Sequence, residues 1–152
     1  QTRKLGYILN KQRQHKATIQ ARLGRIEGLQ FRRHTDEAGD SATFFHLLMP
    51  NEEQARACVK LLGEAGIGVG YWYDNMFHYI KQWDHVKNLS APYKMVAHEL
   101  GLPQDLKTIK FPKSDAVMSR LISFNIRVTW TDAELNAMLD KMEGAVKQAL
   151  LT

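Results

Sequence analysis

Apolar residues return every three or four positions near the start of the chain, and this spacing predicts a long amphipathic helix over residues 4–23. Gly24 or Gly28 is suited to end it. The apolar stripe lapses between Asn10 and Lys16, so these middle turns are expected to face solvent or the polar surface of a partner outside this chain. The stripe itself consists of Leu5, Ile8, Leu9, Ile19, Leu23 and Ile26.

Two later helices are predicted from their start signals as well as from their apolar faces. Asn51 is a favourable N-cap residue, two glutamates follow it, and Gly66 ends the segment. Thr131 with Glu134 three residues later forms a capping box in front of the last helix. The apolar positions are Ala55, Cys58, Val59, Leu62 and Ala65 in the earlier helix, and Leu135, Met138, Leu139, Met142, Val146 and Leu150 in the last.

Short runs rich in aromatic and branched residues predict the strands. The clearest run is ATFFHLLM at residues 42–49, which Pro50 stops. Weaker candidates lie at residues 29–33, 67–69 and 120–128. These elements together predict an α+β fold, with a small mixed or antiparallel sheet and helices on one face.

The part of the chain between the third and fourth predicted strands is harder to interpret. Residues 71–83 form a dense aromatic cluster, in which a loop and a short helix are both possible. A helical turn is expected within residues 92–101, followed by irregular chain up to Lys113 and a short helix from Ser114.

Composition restricts the possible classes of protein. The 152 residues fit one domain, and no apolar run approaches the roughly 18 residues that a membrane-spanning helix needs. The single cysteine, Cys58, and a start that resembles no secretory signal favour a soluble cytoplasmic protein. Gln1 is not an initiator methionine and the helical pattern has begun by Leu5, so a preceding segment is expected.

The basic charge is concentrated at the start of the chain. Residues 1–34 contain nine Lys or Arg residues and one acid, Glu27, whereas the remainder contains more acids than bases. Clustered Lys and Arg supply the sequence-independent part of nucleic-acid binding. An independent basic α+β module that contacts RNA or an acidic partner is therefore one possible function. Aromatic residues are not interleaved with these charges, which favours a solvated or interfacial helix face.

Common catalytic and metal-binding signatures are absent, and no two histidines have the i, i+4 spacing of a helical metal pair. His46 lies in a predicted strand and is interpreted as a hydrogen-bonded histidine of the core or sheet face. No residue of this chain is predicted to be catalytic or to bind a metal.

Two groups of side chains are candidates for substrate binding. The aromatic segment contributes Trp72, Tyr73, Asn75 and His78, which can stack on a sugar and hydrogen-bond to it. The same set is equally consistent with an aromatic minicore capped by polar groups. Arg127 is predicted within the last strand, where it either grips a carboxylate or phosphate or faces solvent.

The chain resembles the last third of the DegT-type nucleotide-sugar aminotransferases over nearly its whole length. The resemblance lies in the first helix ending RLGRIEGL, the strand SATFFHLLMP, the helix end LGEAGIGVGYWY and the closing LISFNIRVTWTDAELNAMLDKM. It implies that residues 1–152 form the C-terminal small domain of a fold-type I aminotransferase, which closes over the cleft and contributes substrate contacts.

The same resemblance implies a cofactor and partners. A larger domain that holds pyridoxal 5'-phosphate and its Schiff-base lysine is expected to precede Gln1, because no lysine here matches the family's cofactor-lysine motif. Such enzymes are typically homodimers with sites at the subunit interface. A dimer contact of this kind is the expected reason for the polar gap in the first helix.

Departures from the family pattern concern substrate recognition. Relatives commonly have an aromatic-flanked histidine soon after the GIG turn, where this chain has Trp72 and Tyr73, and only His78 matches the histidine that follows. The pattern is most similar to the branch acting on 8-oxo-3-deoxy-octulosonate, an acidic sugar of lipopolysaccharide, with glutamate as the usual amino donor. Within this resemblance, Arg127 becomes a candidate partner of a substrate carboxylate.

Overall fold

The computed structural model describes residues 2–90, 92–93, 96–101 and 108–152. Three long helices and a three-stranded sheet dominate this part of the chain, and short 3-10 helices precede α1 and follow α2. In chain order, the elements are α1 Leu5–Leu23, β1 Gln30–Phe31, β2 Phe44–Leu48, α2 Glu52–Glu64, α3 Asp84–Lys87, α4 Val96–Glu99, α5 Pro112–Met118, β3 Leu121–Asn125 and α6 Asp132–Leu150.

The sheet is antiparallel with strand order β1-β2-β3. Side chains alternate between its faces: Phe45 and Leu47 pair with Phe124 and Ile122, and all four are buried against the core from α1, α2 and α6. The opposite face, which we call the open face, carries Phe44, His46 and Leu48 of β2 with Leu121, Ser123 and Asn125 of β3. The predicted α+β fold with helices on one face is therefore confirmed.

Several element boundaries differ from the sequence prediction. Residues 67–69 form no strand; only Gly70 bridges to Ser123, through backbone bonds of 2.6 and 2.9 Å. A β-carbon on Gly70 would lie 2.9 Å from the Ser123 hydroxyl, so glycine permits this close approach. β3 ends at Asn125, which places Arg127 beyond the strand that was predicted to contain it.

The remaining boundaries mostly agree with the sequence. α4 confirms the helical turn expected within residues 92–101, and α5 begins at Pro112, two residues before the predicted start. Of the stretch expected to be irregular, residues 102–107 lie outside the described residues.

The polar gap of α1 has an exposed side and a buried one, so the interpretation that it faces only solvent or a partner is wrong for its buried positions. Gln12, His15 and Lys16 are at most 8% exposed. The Gln12 amide donates to the carbonyl of Ile126 at 3.2 Å, and His15 Nδ1 donates to that of Arg127 at 3.1 Å. These carbonyls lie past the end of β3 and lack strand partners, so polar side chains are required where an apolar stripe would otherwise continue.

Most basic side chains of α1 are also engaged within the chain. Lys11 pairs with Asp132 at 3.5 Å, and Arg22 pairs with Asp140 and Glu143 at 2.7 and 2.8 Å. Arg13 donates to two backbone carbonyls of the loop between β1 and β2. These contacts neutralise much of the cluster and argue against a continuous RNA-binding stripe along this helix.

The capping box of α6 is formed as predicted and yields a first testable consequence. The Thr131 hydroxyl accepts from Glu134 N at 3.2 Å, and the Glu134 carboxylate accepts from Thr131 N at 2.7 Å. Thr131→Ala should lower the free energy of unfolding by about 1 kcal/mol, because one helix N–H loses its partner. Urea denaturation measures this, with the exposed loop variant Thr35→Ala as a control expected to change stability by less than about 0.5 kcal/mol. Equal losses in both variants would contradict the role of the cap.

Candidate functional site

The aromatic segment is fastened to the open face of the sheet through its first residues. Beside the Gly70 bridge, Trp72 Nε1 donates to Ser123 Oγ at 2.5 Å. The hydroxyl of Tyr71 donates to the carbonyl of Ser119 at 2.7 Å. Ser123 is a small polar residue between Ile122 and Phe124, and the bond from Trp72 accounts for it. The bonds of Tyr71 and Trp72 hold the start of the segment in place and so orient the side chains that follow, up to His78.

Trp72, Asn75 and His78 form one group on the outside of this segment. The side-chain oxygen of Asn75 accepts from the backbone N–H of Phe77 and His78 at 2.9 and 3.0 Å, and lies 2.8 Å from His78 Nδ1. Because that oxygen is an acceptor, Nδ1 carries the proton and Nε2 of the neutral ring remains an acceptor. The imidazole packs edge-on against Trp72, with 4.5 Å between ring centroids.

This group presents a polar edge beside an aromatic face. His78 is exposed, and its neighbours Met76 and Phe77 are 63% and 76% exposed. A sugar ring can stack on the indole while a hydroxyl donates to His78 Nε2. The group therefore has the elements of a carbohydrate contact that its sequence predicted.

Tyr73 points to the opposite side and does not join the other three candidates. It is 5% exposed and packs on Tyr79 with 5.4 Å between ring centroids, and its hydroxyl accepts from Lys81 Nζ. Burial and a hydrogen bond to Asp115 raise the pKa of Tyr79. The aromatic minicore is therefore present around Tyr73, whereas ligand contact by the group on the other side of the segment stays a prediction.

A cavity of about 370 Å³ lies beside the minicore. Its walls combine apolar side chains with three lysine side chains and one carboxylate. The residues that line it are Ile80, Lys81, Val86, Lys87, Ile109, Lys110, Phe111 and Asp115.

Arg127 lines a different cavity, of about 270 Å³, just past the end of β3. Its backbone is held by His15, while its exposed guanidinium pairs with no carboxylate of the described residues. Trp130 and Asn125 also line this cavity, with an aromatic surface and an amide, as do residues 66–68. An unpaired guanidinium in a small cavity is suited to a carboxylate or phosphate oxygen.

Two of the described lysines, Lys16 and Lys81, are engaged in ways that do not suit an imine with pyridoxal phosphate. An imine requires a lysine amine that can lose its proton. Lys16 is buried in ion pairs with Asp40 and Glu37, at 2.7 and 3.3 Å. The hydrogen bond with Tyr73 raises the pKa of Lys81 and so favours its charged form. Burial raises the pKa of the Cys58 thiol to about 12, which leaves this group inert as well.

The described residues also lack a metal-binding cluster and a membrane-spanning helix. Within this part of the chain, no group of three or more His, Cys, Asp or Glu side chains is arranged to hold a metal ion. None of its helices combines the length and apolar character that crossing a bilayer requires.

The architecture is one that aminotransferases contain. It matches aminotransferase TlmJ from Streptoalloteichus hindustanus with a TM-score of 0.65 and 10% identity, over 96% of this chain and 34% of TlmJ. The putative sugar aminotransferase Spr1654 from Streptococcus pneumoniae, in its PMP form, matches with a TM-score of 0.66 and 14% identity, over 98% of this chain and 33% of that protein. For 3-amino-5-hydroxybenzoic acid synthase the TM-score is 0.64 at 21% identity, over 95% of this chain and 36% of the synthase.

The chain thus spans about a third of the length of these proteins. No protein-family model matches its sequence. At these identities the comparison defines the fold, while substrate and partners have to be argued from the side chains.

Proposed function

We propose that residues 1–152 are the C-terminal small domain of a cytoplasmic, pyridoxal-phosphate-dependent sugar aminotransferase. The observation that carries this proposal is the agreement of fold with sugar aminotransferases over nearly all of the chain, although the chain equals only a third of their length. A preceding domain holds the cofactor and its lysine, which agrees with the engagement of Lys16 and Lys81 elsewhere. The small domain closes over the shared cleft, and the enzyme acts as a homodimer.

The proposed substrate is an acidic keto or aldehydo sugar, with 8-oxo-3-deoxy-octulosonate of lipopolysaccharide synthesis as the specific candidate and glutamate as the amino donor. Trp72 and His78 provide an aromatic face and a hydrogen-bond acceptor for sugar hydroxyls. Arg127 provides an uncompensated charge for the carboxylate. Tyr73 supports Trp72 through the minicore and makes no direct contact with substrate.

The first test of this proposal is an intact mass of the source protein, with an absorbance scan for bound pyridoxal phosphate. A mass well above 17.4 kDa together with cofactor absorbance is expected. A mass near 17.4 kDa without such absorbance would overturn the assignment.

Arg127→Ala tests the substrate contact in the cofactor-containing protein. The variant should raise KM for an acidic sugar about tenfold or more, because a charge-assisted hydrogen bond to the carboxylate is lost. Arg127→Lys should recover part of this loss, since charge returns without the bidentate geometry. Initial-rate kinetics measure both variants.

A neutral keto sugar is the matched control for this experiment. Its KM should not respond to Arg127→Ala, because it has no carboxylate to bind. An unchanged KM for the acidic sugar would remove Arg127 from the site, whereas equal effects on both sugars would indicate a structural role.

A further inference from the structure

A groove of about 450 Å³ crosses the open face of the sheet, away from the cavity of Arg127. Arg32, Arg33 and His46 line one side of it, and Leu48, Val117 and Leu121 provide an apolar surface. Val117, on α5, is 49% exposed. The groove therefore combines cationic side chains with an uncovered apolar floor.

Positive charge in this groove is not compensated. Arg32 and Arg33 are exposed and form no ion pair with any described carboxylate, and no acidic residue lines the groove. Arg120 donates Nη2 to the side-chain oxygen of Gln30 at 3.3 Å, and Gln30 lines the groove. Arg22 and Arg56, by contrast, each bind two carboxylates.

Two buried nitrogen atoms lack hydrogen-bond partners among the described residues: Nδ1 of His46, which lines the groove, and Nε of Arg120, whose guanidinium bonds to Gln30. The expectation of a hydrogen-bonded His46 is therefore wrong for this atom. Burial and the charge of Arg32 lower the pKa of His46. Electrostatic interactions with His34 and Lys16 lower the pKa of His46 further, whereas the interaction with Asp40 raises it. Both atoms are closed off from solvent, so the accessible donors of the groove are the guanidinium groups of Arg32 and Arg33.

We propose that this groove binds the phosphate group of a small phosphorylated organic molecule. Guanidinium groups match the geometry of phosphate oxygens, and two or three of them offset the charge of a dianion. A volume of about 450 Å³ far exceeds the needs of a phosphate ion and falls in the range of small-molecule sites. The apolar floor of Leu48, Val117 and Leu121 holds the organic part. This groove shares no lining residue with the cavity of Arg127.

The test is a titration of the purified source protein, followed through the imidazole resonances of His46 and assigned with His46→Gln. The probes are inorganic phosphate, pyrophosphate and glucose 1-phosphate, at constant ionic strength with chloride as reference. Saturable binding should raise the pKa of His46, since a nearby anion favours the imidazolium. Glucose 1-phosphate should bind at least about tenfold more tightly than inorganic phosphate, because its ring covers the apolar floor.

Two double variants that remove the same charge from different places distinguish a specific phosphate site from general electrostatic attraction of anions. The double variant Arg32→Gln with Arg33→Gln should weaken glucose 1-phosphate binding by about tenfold or more. Arg25→Gln with Lys141→Gln removes the same charge from exposed positions elsewhere and should change affinity by less than about twofold. Both arginines of the groove are exposed and unpaired, so circular dichroism should show an unchanged fold.

Four results would overturn the proposal. One is the absence of saturable shifts of His46 with every probe. Another is an equal loss of affinity in the two double variants. The third is tight binding of an RNA oligonucleotide with none of glucose 1-phosphate, which would assign the groove to nucleic acid. Equal affinity for phosphate and glucose 1-phosphate would refute the role of the apolar floor and assign the groove to the free ion.

Discussion

Replacing Phe45 by alanine is expected to lower the free energy of unfolding by about 3–5 kcal/mol, because it removes an aromatic ring from a closely packed core. Phe45 is 3% exposed at the centre of β2. Its ring lies 5.1 Å from that of Phe31 and 5.4 Å from that of Phe124, so it joins all three strands on the helix-facing side. Chemical denaturation followed by circular dichroism measures the loss.

Phe44→Ala is the matched control, since it makes the same chemical change one residue earlier in the same strand. Phe44 is 43% exposed on the open face, so its removal should cost less than about 1 kcal/mol. Similar losses in the two variants would contradict the assignment of faces, and with it the position of the phosphate groove. A large loss at Phe44 alone would place the core on the other face.

Local signals in the sequence were sufficient for most of the secondary structure. Asn51 and Thr131 cap the helices they were predicted to start, because a cap depends on residues only three positions away. The alternation in β2 likewise assigns Phe45 and Leu47 to one face from sequence alone.

Predictions failed where the deciding contact lies far away along the chain. The polar gap of α1 is explained by carbonyls more than a hundred residues later, at Ile126 and Arg127. Neither helical periodicity nor charge reveals such a partner. For the same reason, the segment 67–69 resembled a strand although only Gly70 reaches β3.

The sequence predicted which residues belong to the candidate site, but it did not predict which way their side chains face. The density of aromatic residues marked the segment, yet whether Trp72 or Tyr73 faces outward depends on the bond from Trp72 to Ser123. The groove of Arg32 and Arg33 had a signal in the local excess of base over acid near the start of the chain. The sequence does not show that Lys11, Lys16 and Arg22 of the first helix are paired with acids. The positive charge was therefore assigned to that helix rather than to Arg32 and Arg33.

Asp40→Ala is expected to lower the free energy of unfolding by about 3 kcal/mol, because it leaves a buried ammonium poorly compensated. The Lys16 side chain is 9% exposed and lies 2.7 Å from Asp40, which is itself 19% exposed. Glu37 at 3.3 Å is largely exposed and offers weaker compensation. This pair ties the loop between β1 and β2 to α1, so its loss should also release that loop to proteolysis.

Asp132→Ala is the control, since it breaks an ion pair of α1 that is exposed. Asp132 is 88% exposed in its pair with Lys11, and the expected loss of unfolding free energy is below about 1 kcal/mol.

Acid should have the same effect as removing Asp40, because protonation of its carboxylate breaks the ion pair with Lys16. Burial alone would raise the pKa of Asp40, but the hydrogen bonds from Lys16 and from Ala42 N hold it below its ordinary value. The stabilisation is therefore complete above the ordinary pKa near 4 and is lost as the pH falls through the lower folded-state pKa. Urea denaturation at pH 7 and pH 3 should show a smaller acid loss in Asp40→Ala than in the unmodified chain; equal losses would show that the pair contributes nothing.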